Sequence, residues 1–159
     1  MKFLRLTFLI TLIAGLGLIS SCGPGNDPDP SIQETNLALM SKTWVVDEVI
    51  LDNNFASPKT SEYTGMTITI SGTFNAATNE YDYTMTNRPS LSPWPASGTW
   101  SFSETDPEDI IIRHDTNDLE MNYSVTANSL TISFDYTGDG FAGRTGVVEG
   151  NWSFSFVPQ

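Results

Sequence analysis

The chain has 159 residues, with 19 acidic against 7 basic side chains for a net charge of −12, one cysteine and one histidine. That length suits one domain of about 100–200 residues, and the acidic balance leaves no basic stripe for nucleic acid or anionic lipid. A lone cysteine and a lone histidine exclude a disulfide framework and any metal site built from several thiols or imidazoles.

Lys2 and Arg5 form a positively charged start, and Phe8 to Ile19 is apolar except for Thr11. The run is too short for a bilayer span of ~20 residues and suits the apolar region of a signal peptide, residues 1–21. It ends in Ile19-Ser20-Ser21-Cys22. This resembles the bacterial lipobox, a branched apolar residue and two small ones before a cysteine that is lipidated and becomes the mature N-terminus. The resemblance implies that Cys22 carries lipid and anchors the protein to a membrane, each buried CH₂ contributing ~0.8 kcal/mol. Loss of the leader would remove Lys2 and Arg5, leaving five cations against 19 acids, or −14. Residues 22–33 continue as a tether. Its stretch Gly23-Pro24-Gly25-Asn26-Asp27-Pro28-Asp29-Pro30 is extended, because three prolines and two glycines cannot sustain a helix or an interior strand. Gly23 after the cysteine implies an outer-membrane address. The acidic tether resembles the export signals of surface lipoproteins in the Bacteroidota, with the surface and periplasmic faces both open.

From residue 34 to 159 the pattern is that of one β-domain, preceded by a short helix over Ile32 to Met40 with Ser31 as N-cap and Glu34 at capping-box spacing. Thr43 to Leu51 is an apolar-rich strand opening with Trp44. Strict alternation follows in Met66-Ile68-Ile70, Tyr81-Tyr83-Met85 and Trp100-Phe102. Asp109 to His114 contains three consecutive isoleucines. Leu119-Met121-Tyr123-Val125, Leu130-Ile132-Phe134-Tyr136 and Trp152-Phe154-Phe156 resume the alternation. Short connections, such as Ala127-Asn128-Ser129, predict an antiparallel meander. Eight half-buried strands close into a barrel or pack as a sandwich, and closure is preferred because it removes exposed edges.

The short helix, Trp44 at the first strand and the eight-strand meander resemble the lipocalin or calycin plan. More closely, Gly98-Thr99-Trp100-Ser101-Phe102 and Leu130-Thr131-Ile132-Ser133-Phe134 are similar to strand patterns of lipocalin-like domains in small Bacteroidota lipoproteins. Lys42 stands where the lipocalin signature has glycine, and Arg113 and Arg144 are the two candidates for the cation that covers the tryptophan. The resemblance implies an all-β, lipocalin-like barrel that binds rather than catalyses, with no cofactor.

Candidate ligand-binding residues follow from where the aromatics fall. Trp94 lies in the proline-rich stretch Asn87 to Pro95, and Phe141 between glycines that favour a mobile flap. Tyr83, Trp100, Tyr123 and Tyr136 belong to the inward set. Together these six would receive a small apolar or amphipathic ligand, or a glycan, at the barrel mouth. The competing reading is that the aromatics fill the barrel, with Trp94 folded back to close one end. The acids Asp106, Glu108, Asp109, Asp115, Asp118 and Glu120 read as solvated turn residues, with paired-carboxylate hydrolysis or weak Ca²⁺ binding as the alternatives. His114 beside Asp115 reads as a rim histidine, since neighbours on a strand face opposite ways and no Gly-x-Ser-x-Gly elbow is present. The expectation is a lipid-anchored, non-catalytic envelope binding protein without metal. The alternative is an accessory subunit with a filled barrel that docks an envelope protein, and a hydrolase using turn acids comes third.

Overall fold

A computed structural model describes residues 29–53, 55–115, 117–138 and 148–159. The leader, Cys22 and most of the tether, and Phe141 with Arg144, lie outside them.

The chain opens with helix α1 (Ile32–Met40), where the Ser31 side chain accepts from Glu34 N at 3.1 Å and ties down a backbone donor of the first turn. Leu37 and Met40 are its buried residues. Among the described residues nine strands follow: β1 (Thr43–Asp52), β2 (Ala56–Pro58), β3 (Thr67–Ser71), β4 (Tyr81–Thr86), β5 (Ser97–Phe102), β6 (Ile110–His114), β7 (Leu119–Val125), β8 (Leu130–Tyr136) and β9 (Gly150–Pro158). A short 3₁₀ turn, Thr60–Tyr63, precedes β3.

Every pairing is antiparallel, β1 through β3 to β9 in chain order. The β1–β9 pairing, running from Trp44↔Pro158 to Asp52↔Asn151, then closes the sheet. The result is an eight-stranded meander barrel, consistent with a lipocalin-like plan, and β2 is an extra strand laid on the far half of β1. Alternation decides which side chains enter. β4 and β8 place Tyr81, Tyr83, Met85 and Leu130, Ile132, Phe134 inside, and leave Asp82, Thr84 and Asp135 on the outer wall. A register shift between Val46 and Glu48 bends β1 where Asp47 and Glu48 turn outward.

Two barrel ends result. At the helix end, α1 packs beside the β7–β8 turn, with Asn36 Nδ2 donating to Tyr123 Oη at 2.7 Å and Lys42 Nζ to Ala127 O at 3.3 Å. Lys42 Nζ also sits 4.8 Å from the Trp44 ring centre. Lys42 is thus a cation over that tryptophan; of the two candidates, Arg113 is carried by β6 to the other end, where it covers Trp94 instead, and Arg144 lies outside the described residues. That far end holds the β1–β2 turn, the residues 87–96 between β4 and β5, and the β6–β7 turn.

Candidate functional site

The barrel interior is packed solid. Trp44, Tyr63, Trp94, Phe102, Phe134, Phe154 and Phe156 are all essentially buried. Phe134, Phe154 and Trp152 stack along the wall, with interplanar angles of 9° and 20°. Among the described residues a cavity of about 10 Å³ lies inside, lined by Met40, Ile68, Tyr83, Trp94, Trp100 and Met121 among others. That is at the lower limit for one water and far below a ligand.

Trp94 accounts for the closure of the far end. Its indole is 1% exposed and meets Phe134 edge-on at 5.3 Å and Tyr83 and Phe154 at 5.8 Å. Arg113, also 1% exposed, lays its guanidinium 5.0 Å from the Trp94 ring centre and 5.6 Å from that of Phe134. The segment that carries the indole is held by its backbone carbonyls. Arg113 Nη1 donates to Pro93 O at 3.0 Å, Arg88 Nη1 to Trp94 O at 3.2 Å, and Tyr63 Oη to Leu91 O at 3.4 Å. Arg113 Nε in turn donates to Asp115 Oδ2 at 2.6 Å, so a carboxylate that is itself little exposed neutralises the buried cation. Prolines on both sides of Trp94 restrict the chain before it folds, which lowers the entropy lost on seating the plug.

The expected ligand-binding residues fall as follows. Trp94, Tyr83, Trp100 and Tyr123 are packing residues of the closed core, Tyr136 is half-buried at the end of β8, and Phe141 lies outside the described residues. The reason is volume: an eight-stranded barrel is just wide enough for side chains, and this one fills itself with rings.

Polar accounting singles out one spot in the core. Trp44 Nε1 donates to Met40 O at 2.9 Å and Trp152 Nε1 to Val148 O at 2.8 Å. By contrast, Tyr83 Oη, Trp94 Nε1 and Trp100 Nε1 are buried with no hydrogen-bond partner among the described residues. All three residues line the 10 Å³ cavity. Each unmade bond costs about 1–3 kcal/mol. Burial raises the phenol pKa values of Tyr63 and Tyr83, and pushes that of Tyr123 up to about 12 against a lowering by Asn36.

The acids separate as well. Asp106, Glu108, Asp109 and Asp118 are exposed residues of the turns, and Glu120 is exposed on β7. Asp115 is the correction, because it partners buried Arg113. Asp106 and Asp109 precede β6 whereas Asp115 and Asp118 follow it, so the strand divides the two carboxylate clusters. No group of three or more His, Cys, Asp or Glu able to hold a metal occurs among the described residues.

A recess also lies on the outside. An open groove of about 880 Å³ runs over β5 and β6 and is bordered by the β3–β4 connection, the turn after β5 and Gln33 of α1. Asn79 shapes its wall. At φ 41°, a conformation asparagine tolerates, it exchanges two side-chain hydrogen bonds with the Phe102 backbone at 2.9 and 3.2 Å and so extends the sheet edge. On the floor, His114 Nε2 lies 3.0 Å from Ser101 Oγ and His114 Nδ1 lies 2.9 Å from Asp118 Oδ1. The sequence reads His114 as a rim histidine not paired with its neighbour Asp115; the carboxylate it meets is Asp118. The available signal was spacing. A tight β6–β7 turn places residues 114 and 118 opposite each other at its neck, one step beyond the Arg113↔Leu119 pair. Ser101 needed the β5–β6 register, in which Thr99 faces His114.

Comparison with protein-family models, curated proteins and solved structures gives no match for this chain.

Proposed function

We propose that this chain is a lipid-anchored accessory protein of the bacterial cell envelope, which docks an envelope protein with the outside of a filled barrel. The observation that supports this over an internal carrier is the interior, where about 10 Å³ remains and Trp94 occupies the mouth. The position of α1 suggests which end docks. The tether from Cys22 enters the domain through α1, at the helix end, so lipid there would hold that end toward the membrane. The far end would face away and offers Phe55, 85% exposed at the β1–β2 turn. An aromatic side chain without packing of its own is the kind of group that anchors interfaces. With a mature charge near −14, the partner surface would be neutral or basic.

A photo-crosslinking residue at position 55 of the full-length lipoprotein tests this in the intact envelope, with position 128 in the β7–β8 turn as the control. A discrete adduct from 55 and none from 128 supports the reading. No adduct from 55, or the same adducts from both, overturns it. Cys22→Ser should move the protein out of the membrane fraction, and retention there would refute the lipid anchor.

One observation favours the second reading, a small ligand at the mouth. Tyr83, Trp94 and Trp100, each with a buried polar atom that has no partner among the described residues, line one cavity. With Trp94 swung aside, an apolar molecule with a single acceptor atom would take its place and pair with Tyr83 Oη and Trp100 Nε1. Native mass spectrometry of protein from its own envelope distinguishes the two: a small-molecule adduct displaced by Trp94→Ala favours this second reading, a bare mass the first.

A further inference from the structure

The outer groove carries a side-chain arrangement that neither docking at the far end nor a ligand inside the barrel uses. Ser101 Oγ, the His114 imidazole and the Asp118 carboxylate form one hydrogen-bonded line, at 3.0 and 2.9 Å, and all three residues line the groove. We propose that Ser101 is a nucleophile, with His114 as its general base and Asp118 as the group that orients the base, in a site that takes small uncharged or cationic carboxylic esters.

An ionised Asp118 carboxylate only accepts hydrogen bonds, so it selects the tautomer of His114 that carries its proton on Nδ1. The lone pair of Nε2 is then turned toward the Ser101 hydroxyl, which donates to it. Nucleophile to base and base to orienting acid are the two contacts by which such sites are recognised, whatever the fold or chain order. The sheet supplies the placement. β5 and β6 present Ser101 and His114 diagonally on the outer face, and the β6–β7 turn returns Asp118 to the imidazole. His114 is about one-third exposed, so the base is reachable from the groove while its ring is held at both nitrogens.

The chemistry balances with water as the only co-substrate. Ser101 Oγ bonds to the ester carbonyl carbon as its proton passes to His114 Nε2. The carbon–alkoxy bond then breaks, and the alcohol leaves with that proton. A water molecule, deprotonated by the same imidazole, attacks the acyl carbon. The Ser101 ester bond breaks, the hydroxyl recovers its proton, and the carboxylic acid is released. Gln33, Thr78 and Thr105 add neutral hydrogen-bonding groups to the groove lining. Glu80 and Glu104 line it too, and with Asp118 they set the charge preference, repelling anionic substrates.

The test is labelling of the full-length protein with a fluorophosphonate, which phosphonylates activated serines, followed by peptide mapping. The expected result is a single label on Ser101. It should be lost in Ser101→Ala, slowed at least about 100-fold in His114→Gln and less in Asp118→Asn, with hydrolysis of a neutral p-nitrophenyl ester changing in parallel. Circular dichroism melts accompany each variant. Should His114→Gln fail to fold, Ser101→Ala and Asp118→Asn still decide, because both sit on the outer surface. No label at Ser101, or a label that survives Ser101→Ala, overturns the proposal. Either outcome is independent of the crosslink at position 55, so the two readings fail separately.

Discussion

If Trp94 is the plug of the barrel, replacing it with alanine should be among the most damaging single changes in the chain. A buried aromatic removes about 150–250 Å² from water, which at ~25 cal/mol per Å² is about 4–6 kcal/mol. Comparable aromatic truncations cost about 3–5 kcal/mol, since surrounding groups collapse only partly into the space. One effect works the other way. Trp94 Nε1 is buried without a partner, and removing it relieves about 1–3 kcal/mol of lost hydrogen bonding. Set against the about 4–6 kcal/mol of buried area, the net expectation is a loss of about 1–5 kcal/mol, read by urea unfolding followed by circular dichroism. For a domain of this size the middle of that range lowers Tm by roughly 10 °C. The variant should also acquire an apolar hole walled by Tyr83, Phe134 and Phe154, and indole should fill it. At ten times its Kd, indole would restore about 1.4 kcal/mol, a rise of several degrees. A loss below about 1 kcal/mol, or no response to indole, would refute the plug.

Arg113→Met strips Asp115 and the Pro93 carbonyl of their buried donor, and should cost about 2–4 kcal/mol by urea unfolding, much of it recovered in the Arg113→Met/Asp115→Asn double variant. Gly150 has φ +140°, and a Cβ there would sit 2.8 Å from the Asp52 carbonyl oxygen, whereas Gly65 at φ +75° has open space around it. Gly150→Ala should therefore destabilise by at least about 2 kcal/mol and Gly65→Ala by about 1, compared by thermal melts. Alkaline pH should unfold the protein in a defined direction. Tyr63, Tyr83 and Tyr123 have folded pKa values raised above the ordinary 10, so between pH 10 and those values the unfolded chain binds fewer protons than the native one. Their contribution is complete below pH 10 and lost as pH rises through the folded values, by about 1 kcal/mol per pH unit for each tyrosine. Urea midpoints that stay level from pH 9 to 11.5 would contradict it.

The barrel strands were legible because their signal is local. One-sided alternation fixes which residues face inward, and the short connections at Ala127-Asn128-Ser129 and Thr105 to Glu108 force neighbouring strands to run antiparallel. The helix was legible for the same reason, since Ser31 and Glu34 state its start within four residues. What periodicity does not encode is the way a loop returns to the core. β2 is three residues with no alternation to display, and the 3₁₀ turn that buries Tyr63 has none either. Trp94 sits between two prolines in a sequence that could as well present it to solvent; only the volume left by Tyr83, Phe134 and Phe154 draws it inward. The partner of His114 was hidden because it depends on strand register. Asp115 is nearer in sequence, but adjacent strand residues face opposite sides, so Asp115 turns in to Arg113 and Asp118 reaches His114.

That one-residue alternation divides the chemistry of the far end into two compartments. Arg113 and Asp115 point inward, where they neutralise each other and clamp the backbone around Trp94. His114 points outward and joins Ser101 and Asp118 on the wall. The inner pair acts on stability and the outer trio on whatever enters the groove, so substitutions in the two should separate cleanly. Arg113→Met should lower the unfolding midpoint through the Trp94 plug. Ser101→Ala removes a hydroxyl from the outer wall and should leave that midpoint within about 0.5 kcal/mol of the parent. If Ser101→Ala instead cost as much as Arg113→Met, its hydrogen bond to His114 would be holding the β6–β7 turn in place, and the outer trio would be part of the same clamp rather than a separate site.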